Sequence, residues 1–111
     1  MPSMGRVIVV GSLNVDRPWR VERHPAVGET VVGSMLAPVP GGKGLNQAVA
    51  AARLAGVPVR MIGRVGADAF GEALIAALAA DGVATTWVQR DAAAPTGVAL
   101  ITVDQAGQNT I

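Results

Sequence analysis

Apolar residues recur along this chain with two different periods, and the switches between them divide it into elements. Arg6 to Val10 is a short β-branched run closed by Gly11 and Ser12, the pattern of a buried strand in a parallel sheet. From Arg17 to Pro40 the pattern breaks up: Pro18, Pro25, Gly28, Gly33, Pro38 and Pro40 separate short stretches such as Trp19 to Val21 and Thr30 to Met35. Proline cannot donate to a central ladder, so this segment reads as an excursion of edge strands and turns. After Gly44, the residues Leu45, Ala48, Val49 and Ala52 fall at i, i+3, i+4 and i+7, predicting a helix that stops at Gly56 with Pro58 beyond.

Val59 to Gly66 reads as a second buried strand. Asp68 then suits the N-cap of a second helix whose stripe is Phe70, Ala73, Leu74, Ala77 and Leu78, with Glu72 near its positive end and Gly82 after the last turn. Two strands follow, Thr85 to Arg90 and Gly97 to Val103, and Gln105, Ala106 and Gly107 turn the chain into the returning arm of a hairpin. The order is strand, excursion, helix, strand, helix, strand, strand, which is an α/β pattern.

Composition narrows the picture. The chain has 111 residues, 50% hydrophobic and 15% charged, enough for one small domain with a core and too few for two. Nine basic and eight acidic residues are spread without runs, so neither nucleic acid nor a membrane is expected as a partner. One Phe, two Trp and no Tyr make a base-stacking platform hard to build. Without cysteine there is no disulfide or thiolate metal site, and the lone His24 makes no metal cluster. The four-residue apolar run Val7 to Val10 falls far short of a signal-peptide core or a membrane span. The expectation is a soluble, cytoplasmic protein.

Two stretches offer chemistry. In "PGGKGLNQAVAAARLAG", from Pro40 to Gly56, glycines let the backbone approach a ligand at a helix start that presents unpaired N–H groups. The phosphate-loop pattern G-x-x-x-x-G-K-[ST] fails here, because Ala37 stands at its first glycine and Gly44 at its hydroxyl residue. In "GSLNVD", Asn14 and Asp16 are two apart and face the same way in an extended segment. A carboxylate that accepts hydroxyl hydrogen bonds beside an amide that donates and accepts suits a polyol. The same two residues would also make an Asx-type turn leaving a strand. A dinucleotide fold is disfavoured, since the G-x-G-x-x-G spacing is absent.

In one order and at close spacing, "VVGSLNVD", "HPAVGETVVG", "PGGKGLNQAVAAARLAG", "RVGADAFGEAL" and "PTGVALITVD" resemble the N-terminal part of the ribokinase-type carbohydrate kinases, relatives of fructokinases and adenosine kinases. The resemblance runs nearly the whole length. "GGKGLNQA" is its most specific piece and is more similar to the ribokinases than to the fructokinase branch.

The resemblance implies the N-terminal part of a Rossmann-type three-layer α/β fold with a small β-sheet lid, its lid strands at about 17–40 and 95–111. It implies an ATP-dependent kinase acting on D-ribose or a similar sugar. Asn14 and Asp16 would take sugar hydroxyls and Gly42 would offer a backbone amide. Lys43, Gly44 and Asn46 would complete the cradle, and Ala99 would give the lid an apolar wall. ATP and Mg2+ would be bound mainly by a C-terminal half that these residues lack, and a monovalent cation and a homodimer formed through the lid also belong to what is implied. No catalytic base of the family's Gly-Ala-Gly-Asp kind occurs here, so this chain alone is expected to be inactive, a fragment cut before the catalytic half. The bland readings are a solvated Lys43, and Asn46 and Gln47 satisfying a helix start. Glu29 and Asp68 are read as turn and cap residues, and Trp19 and Trp87 as packing residues. The alternative function is a non-catalytic sugar-binding or lid-mediated dimerisation module.

Overall fold

The computed structural model describes residues 5–111. The chain runs β1 (Val7–Val10), β2 (Asn14–Arg20), β3 (Ser34–Met35), β4 (Val39–Gly41), α1 (Lys43–Leu54), β5 (Val59–Gly66), α2 (Ala69–Ala80), β6 (Val88–Asp91), β7 (Gly97–Val103) and β8 (Asn109–Thr110). It divides into two compact units. One takes in the residues up to Val15 and Pro40–Gly97, the other Asp16–Val39 and Val98–Ile111.

In the first unit a parallel sheet has the order β1-β5-β6, with Val7 opposite Val59 and Gly63 opposite Val88. Val9, Val59, Met61 and Val65 on one face of the sheet form a single core with Leu45 and Ala48 of α1 and Leu74 and Leu78 of α2. Both helices therefore cover the same face. Alternation along β1 sends Ile8 and Val10 the other way, where they are 47% and 73% exposed.

Both helix ends follow from local chemistry. Asp68 caps α2 by accepting the Gly71 amide at 2.8 Å. At the other end Gly82, at φ 79°, lets the amides of Gly82 and Val83 return to the carbonyls of Ala79 and Leu78. This is the paired closure that a left-handed glycine permits. After α1 Gly56 is likewise left-handed, at φ 64°. Arg53 reaches from the last turn of α1 to both carboxylate oxygens of Asp81, at 3.0 and 3.2 Å.

The second unit is a sheet in the order β3-β2-β7-β8, with Trp19 opposite Met35 and Thr102 opposite Thr110. The Trp19 indole donates to the Thr102 hydroxyl at 2.7 Å across its strands. Glu29 closes a turn by accepting from Arg23 at 2.8 Å and from the Ala26 amide at 3.1 Å. These bonds hold its carboxyl down to about 2.

Several expectations shift. The strand expected over Thr30 to Met35 shrinks to Ser34–Met35, because most residues from 27 to 33 are exposed and meet no partner strand. The strand expected at Thr85 begins only at Val88, after a turn in which the Val88 amide donates to the Thr85 carbonyl at 3.0 Å. On α2 Ala73 is exposed, and Ile75 joins the core side instead. The strand at Asn14 starts earlier than the Arg17 boundary of the expected excursion.

The open apolar face and the unpaired sheet edges in the first unit have a consequence. The isolated 111-residue chain should associate or unfold with low cooperativity, since such surface favours pairing with further copies. Sedimentation and urea unfolding check this, and a monomer with one sharp two-state transition would contradict it.

Candidate functional site

The carboxyl end of β1 leads into Gly11, Ser12 and Leu13, and the start of α1 is pressed against this turn. Gly42 is the N-cap of α1 at φ 98° and ψ 140°, a conformation open to glycine and rarely to other residues. A β-carbon on Gly42 would lie 2.7 Å from the Ser12 carbonyl oxygen and 3.1 Å from the Asn14 nitrogen. One on Gly44 would lie 2.7 Å from the Gly11 carbonyl carbon and the Ser12 nitrogen. The two backbones touch, and the Leu45 amide fastens them by donating to the Ser12 carbonyl at 3.0 Å. Gly42 and Gly44 of "GGKG" are thus accounted for by close approach of backbone to backbone.

This contact brings Asn14, Gly42 and Gly44 together at the carboxyl end of the parallel sheet, where ligands bind in open α/β folds. Asn14 is half-buried, Gly44 is buried, and Lys43 and Asn46 in the first turn of α1 are exposed. The Asn46 amide closes that turn onto the Gly42 carbonyl at 3.0 Å. Asp16, half-buried, follows in β2 as the first residue of the second unit. Val15 between Asn14 and Asp16 is 3% exposed, so strand alternation sets those two polar side chains on the opposite side of β2 from it. Ala99 lies in β7, half-buried.

The starts of the two helices differ in charge. At α2 the amides are met by the Asp68 carboxylate, with Glu72 in the first turn paired to Arg90. The Thr96 hydroxyl and the Thr96 and Gly71 amides hold the Asp68 carboxyl below its ordinary value. At α1 Gly42 provides no side-chain cap, and the first turn holds no acidic residue. No carboxylate of that turn offsets its partial positive charge. A cleft of about 410 Å³ between α1 and α2 borders Asn46, Val49, Arg53, Ala77 and Asp81 but takes in none of the other candidates.

Residues 4–111 match the sequence model of the pfkB family carbohydrate kinases. The chain belongs to that family. It is 43% identical over 108 residues to the ribokinase of Bacillus subtilis, a match covering 97% of this chain and 36% of the relative. Its fold is similar to the crystal structure of a Cryptococcus neoformans ribokinase in complex with ADP, with a TM-score of 0.88 and 34% identity over 99% of this chain and 33% of that one. It is similar also to the Arabidopsis thaliana ribokinase complexed with ribose and ATP, with a TM-score of 0.81 and 38% identity over 94% of this chain and 34% of that one. The α/β fold of the ribokinases is therefore the fold of these residues, which span about a third of the length of those relatives.

Two features escape a reading of single residues. The Ser12 carbonyl that receives α1 is backbone, so no residue type marks it. Thr96 is 4% exposed and hydrogen-bonded to Asp68, which the sequence marks only as a helix cap.

The close fit of the α1 start carries a test. In the full-length protein, Gly44→Ala would force a methyl group onto backbone atoms that have no side chain to swing aside. The expected loss is about 1–3 kcal/mol of stability, read by urea unfolding, and an unchanged midpoint would contradict the geometry.

Proposed function

We propose that these residues are the sugar-binding part of an ATP-dependent kinase of ribokinase type that phosphorylates D-ribose or a closely similar sugar. The observation that carries the reading is the packing of the Gly42–Gly44 backbone against Ser12 and Asn14, which sets a helix start without a side-chain cap beside an amide at the carboxyl end of the sheet. Asn14 and Asp16 bind sugar hydroxyls, the amide-rich start of α1 takes others, and Lys43 and Asn46 close around them. The role of these groups is to bind and orient the acceptor hydroxyl. The Arabidopsis relative holding ribose and ATP supports the choice of sugar and donor.

ATP with Mg2+ supplies the phosphoryl group and neutralises its charge. The residues present here do not fit that pair. Among the described residues no group of three or more His, Cys, Asp or Glu would hold a metal ion. The loop before α1 departs from the phosphate-loop pattern at Ala37 and Gly44. The nucleotide therefore belongs to sequence outside these 111 residues on this reading, as does the general base.

The second reading, a module that associates through its lid, is favoured by the second unit's own surface. Met35 and Leu100 are 58% and 67% exposed there, beside Trp19 in an open apolar hollow. Within the kinase reading the same surface forms a homodimer. Reading the gene past Ile111 and assaying its full product separates the alternatives. An in-frame Gly-Ala-Gly-Asp segment and ADP release faster with D-ribose than with fructose or adenosine support the kinase. A stop codon, or no sugar-dependent ADP release, removes it.

A further inference from the structure

Thr96 is a buried polar residue, 4% exposed, and three hydrogen bonds hold it. Its amide donates to Asp68 Oδ2 at 2.9 Å, and its hydroxyl donates to Asp68 Oδ1 at 2.6 Å and accepts the Gly66 amide at 2.9 Å. Asp68 is itself anchored by the Gly71 amide at 2.8 Å. Capping a helix needs one of these bonds, and the other three serve to fix Thr96.

What Thr96 holds is the next residue. Gly97 opens β7, and a β-carbon on it would lie 2.8 Å from Asn14 Oδ1 and 3.7 Å from Asn14 Cγ. The bare backbone of Gly97 is thus the surface against which the Asn14 carboxamide rests. Asn14, Asp68, Thr96 and Gly97 all lie in the first unit.

We infer that Asp68 and Thr96 are positioning residues for the sugar site: they fix the Gly97 backbone, which sets the orientation of the Asn14 carboxamide toward sugar hydroxyls. An amide presents a donor and an acceptor in one plane, so its rotation decides which hydroxyl hydrogen bonds it makes. Neither Asp68 nor Thr96 touches the sugar. The inference rests on the reading of Asn14 as a sugar ligand.

The test uses the full-length kinase with D-ribose and ATP as titrants. Thr96→Val keeps the shape of the side chain and removes both hydroxyl bonds. It should raise the KM and Kd for D-ribose about ten- to a hundredfold, the range that small misplacements of a binding group cost, with kcat and the KM for ATP within about twofold. Thr96→Ser should restore ribose affinity. In an Asn14→Ala background, Thr96→Val should add no more than about a twofold loss, since the group it positions is gone. Gly97→Ala leaves the three Thr96 bonds in place and pushes on the carboxamide directly. It should reproduce the ribose-specific loss, which keeps the matter decidable if Thr96→Val does not fold. Equal losses for ribose and ATP, or a ribose loss that persists in full without Asn14, would overturn the positioning role. If Asn14→Ala weakens ribose binding but neither Thr96→Val nor Gly97→Ala does, the inference alone fails. If Asn14→Ala leaves ribose affinity unchanged, the sugar reading fails with it.

Discussion

Asp16→Ala in the full-length kinase should lower sugar affinity by about two to four orders of magnitude while ATP affinity hardly changes. A carboxylate that accepts two sugar hydroxyls makes two charge-assisted hydrogen bonds, each worth about 1.5–3 kcal/mol, and its loss leaves the sugar's donors unpaired in a closed pocket. Asp16 is half-buried in β2. If its carboxylate served only to shape the strand, the variant would instead show a lower melting temperature and lose both ligands together. Calorimetric titration of D-ribose and of ATP into the folded variant separates the two patterns. Unchanged ribose affinity would remove Asp16 from the site.

The second large effect concerns the 111-residue chain by itself. Its ribose-dependent ADP release should fall at least about four orders of magnitude below that of the full-length kinase, because the proposed function puts both the general base and the groups that hold nucleotide outside it. Base catalysis alone contributes about two to four orders of magnitude, and positioning of the two reactants contributes more. The assay compares ADP release with and without D-ribose at equal protein concentration. Ribose-dependent turnover by the isolated chain would place a base and a nucleotide site within these 111 residues and contradict the expectation.

How far the sequence carried this account depends on where each cause lies. Asp68, Gly82 and the Val59–Gly66 run are legible because one residue's own chemistry, or one period, decides the local structure. β7 coincides with the strand expected at about Gly97 to Val103, an apolar run followed by a turn. Thr30 to Met35 misled because β-branched residues favour strands only where a partner strand exists, and most residues from 27 to 33 lie exposed. Ala73 misled because the buried stripe of α2 is centred on Gly71, Leu74 and Leu78, which brings Ile75 to its margin and leaves Ala73 outside.

The candidate residues were legible as a set through the family resemblance, whereas their supports were not. Gly11 against Gly44, and Gly97 against Asn14, are contacts in which at least one partner has no side chain. A glycine in a sequence announces freedom of conformation, and only coordinates show that these glycines serve instead to let another group come close.

A crystal structure of the full-length protein with D-ribose bound is the most direct test of the claim that these residues hold the sugar. The account predicts sugar hydroxyls within hydrogen-bond distance of the Asp16 carboxylate and the Asn14 carboxamide, with the ring lying over the Gly42–Asn46 start of α1. Ribose bound elsewhere, with Asn14 and Asp16 facing only protein or solvent, would contradict it.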